Sequence, residues 1–571
     1  LQWYFRQFGN AAPPEPVLQA FGNIECRDAV LDRDGEEPDV DENGKVRTRW
    51  GGRMMTHPAT GKEVPDPDDQ EVIYRYLNAR EAEWPEADYI VSNPPFIGNK
   101  RMKKFLGDGY TKSLRETYAK IPETADYVVY WLDKSMRSLT SKDLMHAGFI
   151  TTNSIVQPFN NKLIQSYIQS NEDIFLSFAV PDHPWVDSTD GADVRISMLS
   201  IAKKGDQHLQ PKFIRVISES EGESETNPVN LTLTQSIVQI INSNLSVGVD
   251  VTSATELRAN RGMAFTGMYP LGQGFIVSPE ELPKACGNDQ GVDEIVKPFF
   301  IARDITQKNR FNKAIDFYPL SDDEAKLSYP SLYQWVLERV KPQRDQNNRE
   351  SRKRKWWLFA EPVPSLREAI KGQSRFILIP RTAKFFTFNF VQYNSIPDTS
   401  VVAVVSDESY VLGVLSSNIH LAWAIESGGR LGVGNDPRYQ HKRTFNPFPF
   451  PDPTPTQKQN IRDLGERLDT HRKQVQATHP DITITGMYNL LEKLRAGEPF
   501  TDKDRDYNNK ALVSTLKQIH DDLDAAVLDA YGWPQDITDE QILERLVALN
   551  AERAEEERNG YIRWLRPEYQ A

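Results

Sequence analysis

Strand-like apolar segments alternate with helix-like amphipathic segments between residues 88 and 204. The segments ADYIVS, AGFITTNSI, IFLSFAV and ADVRISMLSIAKK have the pattern of strands, whereas ADYVVYWLDKSMRSL and NKLIQSYIQ have the pattern of helices. This alternation predicts an α/β domain with a doubly wound, largely parallel sheet, whose ligands bind beyond the carboxyl ends of the strands. Upstream of it, we predict a short strand that runs into a turn in NIECRDAVL (23–31) and a polar insertion over residues 33–84.

The rest of the chain changes character twice. A segment rich in Ser, Glu, Thr and Asn (218–230) predicts a linker, and from about residue 251 short strands and many aromatic residues predict a mixed domain. After the Pro-rich FNPFPFPDPTPT (445–456), 3.6-residue periodicity with Thr or Asp at the N-cap positions predicts helices. We therefore predict an α/β domain (1–215), a linker (216–250), a mixed domain (251–450) and a helical domain (451–571).

Composition limits the class of protein. A chain of 571 residues is too long for a single core, and 39% hydrophobic with 26% charged residues is ordinary for a packed globular protein. The sequence has no apolar run near 18 residues and no leader pattern, so we predict a cytoplasmic protein with no membrane contact. Cys26 and Cys286 are far apart and have no Cys or His neighbours, which excludes a disulfide framework and a zinc cluster. We predict no metal site.

The strand pattern at 88–92 ends in Ser92-Asn93-Pro94-Pro95-Phe96. The Asn93 side-chain oxygen and the Pro94 carbonyl oxygen can both accept hydrogen bonds, and the two prolines stiffen the backbone around them. Two such acceptors suit the binding of both hydrogens of a planar NH2 group, which makes the nitrogen lone pair available to an electrophile. Phe96 would stack on the ring that carries the amine, contributing about 1–3 kcal/mol. Since Asn-Pro is also a common turn dipeptide, a plain turn is the alternative.

Asn93 to Phe96 resemble the Asn-Pro-Pro-aromatic motif of DNA methyltransferases that modify the exocyclic amine of adenine, using S-adenosylmethionine. The catalytic motif precedes the recognition region, as in gamma-type enzymes, and Asp28 in GNIECRDAVL is similar to the Asp that contacts the cofactor's adenine. Further segments resemble the MmeI-like and phage-defence (DISARM-type) methyltransferases: NPPFIGNKRMKKFLGDGY, Asn260-Arg261-Gly262, RYQHKRTFNPFPFP and GYIRWLRPEY.

The resemblance implies a class I, Rossmann-like methyltransferase sheet, then a target-recognition DNA-binding domain and the helical region. It implies methyl transfer to the amine of an adenine flipped out of double-stranded DNA, in a bacterial restriction-modification or anti-phage system. Asn93, Pro94, Pro95 and Phe96 would be catalytic, and Asp28 would bind the cofactor.

One part of the family pattern is missing from the sequence. A complete enzyme of this class has a Gly-rich turn that wraps the cofactor's methionine moiety and a following acid that holds its ribose, and neither occurs here. The first residue is Leu1, and LQWYFRQFGN has the pattern of the last turns of an amphipathic helix. We therefore expect a sheet that is incomplete at its N-terminal side, a missing segment upstream or on a partner subunit, and little activity from this chain alone.

Base flipping costs a few kcal/mol, so cations should hold the DNA. The net charge is −13, yet residues 339–355 contain eight Lys or Arg against two acids and are followed by Trp356 and Trp357. A solvated charged face is the alternative interpretation of this run. The predicted DNA contacts are Lys100, Arg101, Lys103, Lys104, Arg349, Arg352, Lys353, Arg354 and Lys355. Other cations that could serve are Arg303, Lys308, Arg310, Arg381, Lys384, Arg438, Lys442 and Arg443.

Other chemistries fit the residues less well. Cytosine C5 methylation needs a nucleophilic Cys in a Pro-Cys pair, which neither cysteine forms. The acidic VPDPDDQEV (64–72) lacks the Lys of a nuclease motif, and we predict a solvated loop. Two alternatives stay open: a DNA-binding specificity or scaffold subunit with an incomplete methyltransferase fold, and a protein methyltransferase that acts on a glutamine amide. The second is disfavoured by the long basic and aromatic region after the fold.

Overall fold

The chain divides into two compact units, residues 1–186 with 195–245 (unit 1) and residues 187–194 with 246–571 (unit 2). The computed structural model describes residue 9 and residues 24–571, except 57–62, 67, 142–143, 172, 186–193, 205–208, 225–226, 346, 348 and 432–435. The helix predicted at the start of LQWYFRQFGN lies outside the described residues.

Unit 1 begins with a long two-stranded ribbon in place of the predicted polar stretch at 33–84. Its strands pair antiparallel as β1 with β8, β2 with β7, β3 with β6 and β4 with β5. The strands are β1 Leu31–Asp32, β2 Gly35–Pro38, β3 Thr48–Trp50, β4 Met54–Thr56, β5 Glu63–Pro65, β6 Gln70–Val72, β7 Tyr74–Leu77 and β8 Arg80–Glu81.

Two predictions in this region are wrong in part. The described residues 24–30 of NIECRDAVL form no strand, whereas the predicted turn is present, because the Asp28 carboxylate accepts the N–H groups of Val30 and Leu31. The acidic segment 64–72 exposes residues 68 and 70–72 to solvent, as predicted, but it is not simply a loop, since it supplies parts of β5 and β6. Asp66 there pairs with Arg53 of the opposite arm at 2.8 Å.

A six-stranded sheet forms the centre of unit 1, in the order β14-β13-β11-β12-β10-β9. Its strands are β9 Tyr89–Ser92, β10 His146–Thr152, β11 Ile174–Trp185, β12 Val194–Lys203, β13 Lys212–Ser224 and β14 Asn227–Ile237. The helices are α1 Asn99–Leu106, α2 Asp108–Thr117, α3 Val128–Ser141 and α4 Pro158–Ser170. The predicted α/β class is confirmed, and the strands and helices predicted between residues 88 and 204 are present.

The sheet is mixed, so the prediction of a largely parallel sheet is wrong. β9 with β10 and β11 with β13 are parallel, whereas β10 with β12 and β13 with β14 are antiparallel. Parallel neighbours need a crossover, usually a helix. No helix is described between β11 and β14.

The predicted linker at 216–250 is also wrong over its first half. Residues 212–237 form the β13–β14 hairpin, with pairs that run from Lys212 and Ile237 to Ser224 and Asn227. The segment NLTLTQSI alternates apolar and polar residues, which is the pattern of a strand. The many Ser and Glu residues suggested a loop, but the segment pairs as two antiparallel strands, of which β14 lies at one edge of the described sheet.

Unit 2 contains two four-stranded sheets, in the orders β15-β22-β19-β20 and β16-β18-β17-β21. The strands are β15 Ala264–Thr266, β16 Ile276–Val277, β17 Val296–Phe300, β18 Lys313–Ile315, β19 Arg375–Pro380, β20 Asn389–Gln392, β21 Ile396–Pro397 and β22 Val401–Val404, followed by the separate pair β23 Arg430–Leu431 and β24 Asp436–Pro437. The mixed character predicted from residue 251 is therefore confirmed.

Helices surround and follow these sheets. Those before residue 430 are α5 Leu282–Cys286, α6 Ala302–Thr306, α7 Asp322–Ser328, α8 Pro330–Arg339, α9 Lys341–Arg344, α10 Glu350–Arg354, α11 Pro364–Ile370, α12 Ser409–Ser416 and α13 Asn418–Gly428. The helical C-terminal region contains α14 Pro455–Thr478, α15 Ile484–Ala496, α16 Asp502–Ala511, α17 Val513–Tyr531, α18 Asp539–Arg558 and α19 Pro567–Gln570. As predicted, Thr residues cap these helices: Thr454, Thr501 and Thr538 form capping boxes.

The helical region packs into the core of the mixed domain. One hydrophobic cluster joins sheet residues such as Ile377 and Val404 to Leu468, Leu523 and Leu546 of the C-terminal helices. The predicted boundary at residue 451 therefore does not separate two cores. Among the described residues, no helix combines the length and the apolar character that crossing a membrane requires.

Candidate functional site

The Asn-Pro-Pro-Phe segment lies in the loop between β9 and α1, residues 93–98 (the 93–98 loop). Strand β9 ends at Ser92 because Pro94 and Pro95 have no N–H to continue its pairing. The side chain of Pro94 is buried, whereas Asn93, Pro95 and Phe96 are exposed. This arrangement anchors the loop at one proline and presents an amide and an aromatic ring to solvent.

The two predicted acceptors are available. Within the described part of the chain, neither the Asn93 amide nor the Pro94 carbonyl has a hydrogen-bond partner. The Pro95 carbonyl, in contrast, accepts the Ile97 N–H at 2.9 Å. Phe96 is 37% exposed and makes no ring contact with a described residue. The loop can therefore accept two hydrogen bonds from a planar amine and stack on its ring.

Asp126, just before α3, holds this loop from behind. One carboxylate oxygen of Asp126 accepts the backbone N–H of Asn99 at 2.8 Å. The other accepts from Ser154 Oγ at 2.7 Å and from Asn160 Nδ2 at 2.9 Å. The next residue, Tyr127, donates its N–H to the Ile97 carbonyl at 3.0 Å. Sequence reasoning missed Asp126, although an Asp that precedes an apolar periodic segment is typical of a helix start.

Asp28, the predicted cofactor contact, is connected to the same loop. Besides the turn bonds described above, its Oδ2 accepts from the Tyr110 hydroxyl at 2.6 Å, and that hydroxyl lies 2.5 Å from the Tyr127 hydroxyl. Burial raises the pKa of both tyrosines, so both stay protonated. Asp28 itself is exposed. A carboxylate oxygen can accept two hydrogen bonds. Oδ2 therefore has capacity for an amine of the cofactor's adenine.

A second polar group lies at the carboxyl edge of the sheet and was not predicted. Because β9 and β10 are parallel, Asn93 and Asn153 both follow the carboxyl ends of neighbouring strands. Asn153 Nδ2 lies 3.5 Å from Asp182, and Asp182 pairs with Arg195 at 2.7 Å. The only signal in the sequence was that the strand pattern AGFITTNSI ends in polar residues.

The cations of α1 form one exposed face directly after the 93–98 loop. Lys100, Arg101, Lys103 and Lys104 are exposed, whereas Met102 is buried. Lys103 lies 3.5 Å from Asp108. The structure thus places these predicted DNA contacts beside the loop.

The basic run at 339–355 separates into two groups. Arg344 is fully buried and donates to the carbonyls of Leu271, Pro270 and Leu358, and burial lowers its pKa to about 10. Other cations of the run pair with acids: Arg339 with Glu338, Lys341 with Asp345 and Arg352 with Glu361. Trp356 lies in the core and is no stacking surface.

The remaining predicted contacts of the run stay available. Arg349, Arg354 and Lys355 are exposed and Lys353 is half-buried. In the described structure none of the four forms an ion pair.

The later family-like segments meet inside unit 2. The buried Asn260 amide donates to the carbonyls of Phe445, Asn446 and Phe448. Gln570 Nε2 donates to the carbonyls of Ala259 and Arg261. These contacts assign the Asn260 and C-terminal segments a role in holding unit 2 together.

Comparison with known proteins identifies the two regions. Residues 36–212 match the model of the MmeI DNA-methyltransferase domain, and residues 247–452 match the model of the MmeI target recognition domain. These matches define a DNA-methyltransferase domain followed by a target recognition domain. The chain belongs to the MmeI-like DNA methyltransferases.

Individual relatives are more distant. DNA methyltransferase A of Bacillus subtilis (strain 168) is 22% identical over 508 residues, which cover 84% of this chain and 50% of that protein. The Type IIL restriction-modification enzyme MmeI, solved in complex with DNA, superimposes with a TM-score of 0.63 at 20% identity, over 82% of this chain and 57% of that one. This likeness shows the fold. The chain spans about half the length of both relatives.

Proposed function

We propose that this protein transfers a methyl group from S-adenosylmethionine to the exocyclic amine of an adenine flipped out of duplex DNA, in a restriction-modification or anti-phage system. The observation that supports this most directly is the pair of unused acceptors, Asn93 Oδ1 and the Pro94 carbonyl, beside the exposed ring of Phe96. The match to MmeI-type domains supports DNA as the substrate.

The 93–98 loop would act on the amine of the flipped base. Asn93 and Pro94 would each accept one N–H, which draws the nitrogen toward tetrahedral geometry and directs its lone pair away from the ring. Phe96 would fix the plane of the base by stacking, and Pro95 and Asp126 would keep the loop rigid. When bound, S-adenosylmethionine supplies the electrophilic methyl group, and Asp28 would hold its adenine.

Among the described strands, β9 lies at one edge of the six-stranded sheet, and two of its four side chains are exposed. Tyr89 is 60% and Val91 92% exposed. Together with the absence of a Gly-rich cofactor turn from the sequence, this exposure supports a cofactor half supplied by further sequence or by a partner subunit. The second candidate function, a DNA-binding specificity or scaffold subunit, predicts no Gly-rich cofactor motif in the open reading frame upstream of Leu1.

The test uses the full-length protein, unmethylated bacterial DNA and cofactor with a labelled methyl group. Asn93→Ala should reduce label transfer on the order of 100-fold or more, by analogy with the loss of one transition-state hydrogen bond. Asn288→Ala, at an exposed Asn of unit 2, is the matched control and should leave transfer unchanged. Transfer at the wild-type rate by Asn93→Ala would refute the proposal.

Nucleoside analysis of the product tests the base. Label in N6-methyladenine is the expected result. Label in N4-methylcytosine would keep amine methylation and overturn the adenine specificity, whereas label in protein would favour the glutamine amide as the substrate.

A further inference from the structure

Arg381, Arg438, Lys442 and Arg443 (the 381–443 cation cluster) come together in unit 2, although more than 50 residues separate the first from the rest. Thr382 and Arg438 form an antiparallel bridge, and the Tyr439 N–H donates to the Arg381 carbonyl at 2.8 Å. The following turn places Lys442 and Arg443 next to this bridge, since the Arg443 N–H donates to the Gln440 carbonyl at 2.8 Å.

The backbone under the cluster is held by buried groups on both sides. Tyr439 is fully buried, and its hydroxyl lies 3.0 Å from His420 Nε2. The Thr444 carbonyl accepts from Trp423 Nε1 at 2.9 Å. Because both residues are fixed in the core, the cations between them project from a rigid segment, which reduces the entropy lost on binding a ligand.

Among the residues that the structure describes, no carboxylate forms an ion pair with any of the four cations of the cluster. Arg381 donates to the Thr399 carbonyl, which carries no net charge.

The charges of these side chains act on one another. Burial and the charge of Arg381 lower the pKa of Arg438, and burial and the charge of Arg438 lower the pKa of Arg443 to about 10. Burial, Lys442 and Arg381 lower the pKa of His441, and Glu256 opposes them in part. The arginines remain charged at neutral pH, so the fold maintains a repulsive group that an anion would relieve.

Neighbouring cations with the same residue types are already paired. Arg310 binds Asp304 at 2.7 Å, and Lys384 binds Glu492 at 2.9 Å. The sequence cannot distinguish these from Arg438 or Arg443, whereas the contacts do.

We infer that the 381–443 cation cluster binds phosphates of the DNA backbone and contributes affinity that does not depend on base sequence. This inference rests on the proposed function, which provides duplex DNA as the polyanion. Arginine and lysine on phosphates fix the position of a protein on the duplex, while base edges carry the sequence information. Each phosphate that the cluster neutralises releases condensed counterions, so the affinity it adds must fall with salt.

The experiment measures binding of the full-length protein to a fluorescent random-sequence duplex between 50 and 300 mM NaCl. Arg438→Gln and Arg443→Gln should each weaken binding and reduce the slope of log K against log salt by about one. Lys371→Gln, which removes an exposed cation of unit 2 that pairs with Glu368 at 2.7 Å, is the control and should leave the slope unchanged.

Lys442→Gln keeps the test valid if the Arg438 and Arg443 variants do not fold. Lys442 is exposed, so its replacement leaves the core intact and should also reduce the slope. Wild-type binding together with unchanged slopes in Lys442→Gln and in a folded Arg443→Gln would overturn the inference and leave the proposed function standing. A wild-type protein that does not bind duplex DNA at all would overturn both.

Discussion

The Asp126 carboxylate accepts the backbone N–H of Asn99 at 2.8 Å, so a residue 30 positions after Phe96 fixes the end of the loop that carries it. The same carboxylate accepts from Ser154 and Asn160 and thereby connects the start of α1 to the turn after β10 and to the start of α4. The position of Asn93 consequently depends on three separate segments of unit 1.

Asp126→Asn should lower the methyl-transfer rate constant on the order of 10- to 100-fold, because small misplacements of a positioned group have effects of this size. The new NH2 group would face the donors of Ser154 and Asn160 if its oxygen keeps the bond to Asn99. Single-turnover kinetics with saturating cofactor and DNA would measure the change, while the Kd for DNA should stay within about 2-fold.

Asp289→Asn is the matched control, because the Asp289 carboxylate in unit 2 also holds backbone N–H groups, those of Ser331 and Leu332. Both variants should lose a similar amount of stability, and only Asp126→Asn should lose the rate. Equal rates in the two variants would show that Asp126 has no positioning role.

Phe96→Ala should weaken stabilisation of the flipped base by about 1–3 kcal/mol without affecting the fold. The ring is 37% exposed and has no aromatic partner in the described structure, so the melting temperature should not change. Fluorescence of 2-aminopurine at the target position reports the flipped fraction. Phe96→Tyr should preserve it, and Tyr393→Ala, at an exposed ring of unit 2, should have no effect.

Much of the fold was predictable because its signals are local. The apolar pattern of strands β9 to β12 and the 3.6-residue periodicity of the C-terminal helices can be recognised within short stretches of consecutive residues. Asn93 to Phe96 are likewise contiguous in the sequence. The ribbon and the pairing of β13 with β14 were missed, because segments rich in Asp, Glu and Ser have the composition of a loop. Their strands are stabilised by residues that are distant in sequence, as Asp66 is by Arg53 on the opposite arm.

The site was predictable only in part for the same reason. Asp126, Ser154 and Asn160 meet through tertiary contacts that no spacing in the sequence indicates. Arg344 and Arg354 are the same residue type in the same basic run, yet one is fully buried and the other exposed.

The two groups of the basic run should respond differently to mutation. Arg344→Gln leaves the carbonyls of Leu271, Pro270 and Leu358 without their charged donor and should reduce the free energy of unfolding by about 3 kcal/mol. Lys355→Gln at the exposed surface should change it by less than about 0.5 kcal/mol. Urea unfolding would compare the two variants. A stable Arg344→Gln protein with weakened DNA binding would reverse the assignment.

The stability of unit 2 should fall as the pH falls below about 6.5. Burial lowers the pKa of His420 and of His520 to about 3, so the folded state holds both imidazoles neutral, next to the hydroxyls of Tyr439 and Tyr488. Between pH 6.5 and pH 3 the unfolded chain binds protons that the folded chain does not. Unfolding therefore becomes more favourable by about 1.4 kcal/mol per pH unit for each histidine.

His420→Gln removes one of these two proton-binding sites. From pH 6.5 to pH 5 the free energy of unfolding of the variant should fall by about 2 kcal/mol less than that of the wild type. The variant should be the less stable protein at pH 7, because the substitution disturbs a packed site. The measurement that decides is therefore the slope of the free energy of unfolding against pH, compared between the two proteins by urea unfolding. Parallel slopes would show that His420 is protonated in the fold, which would contradict its burial among Phe388, Phe448 and Tyr439.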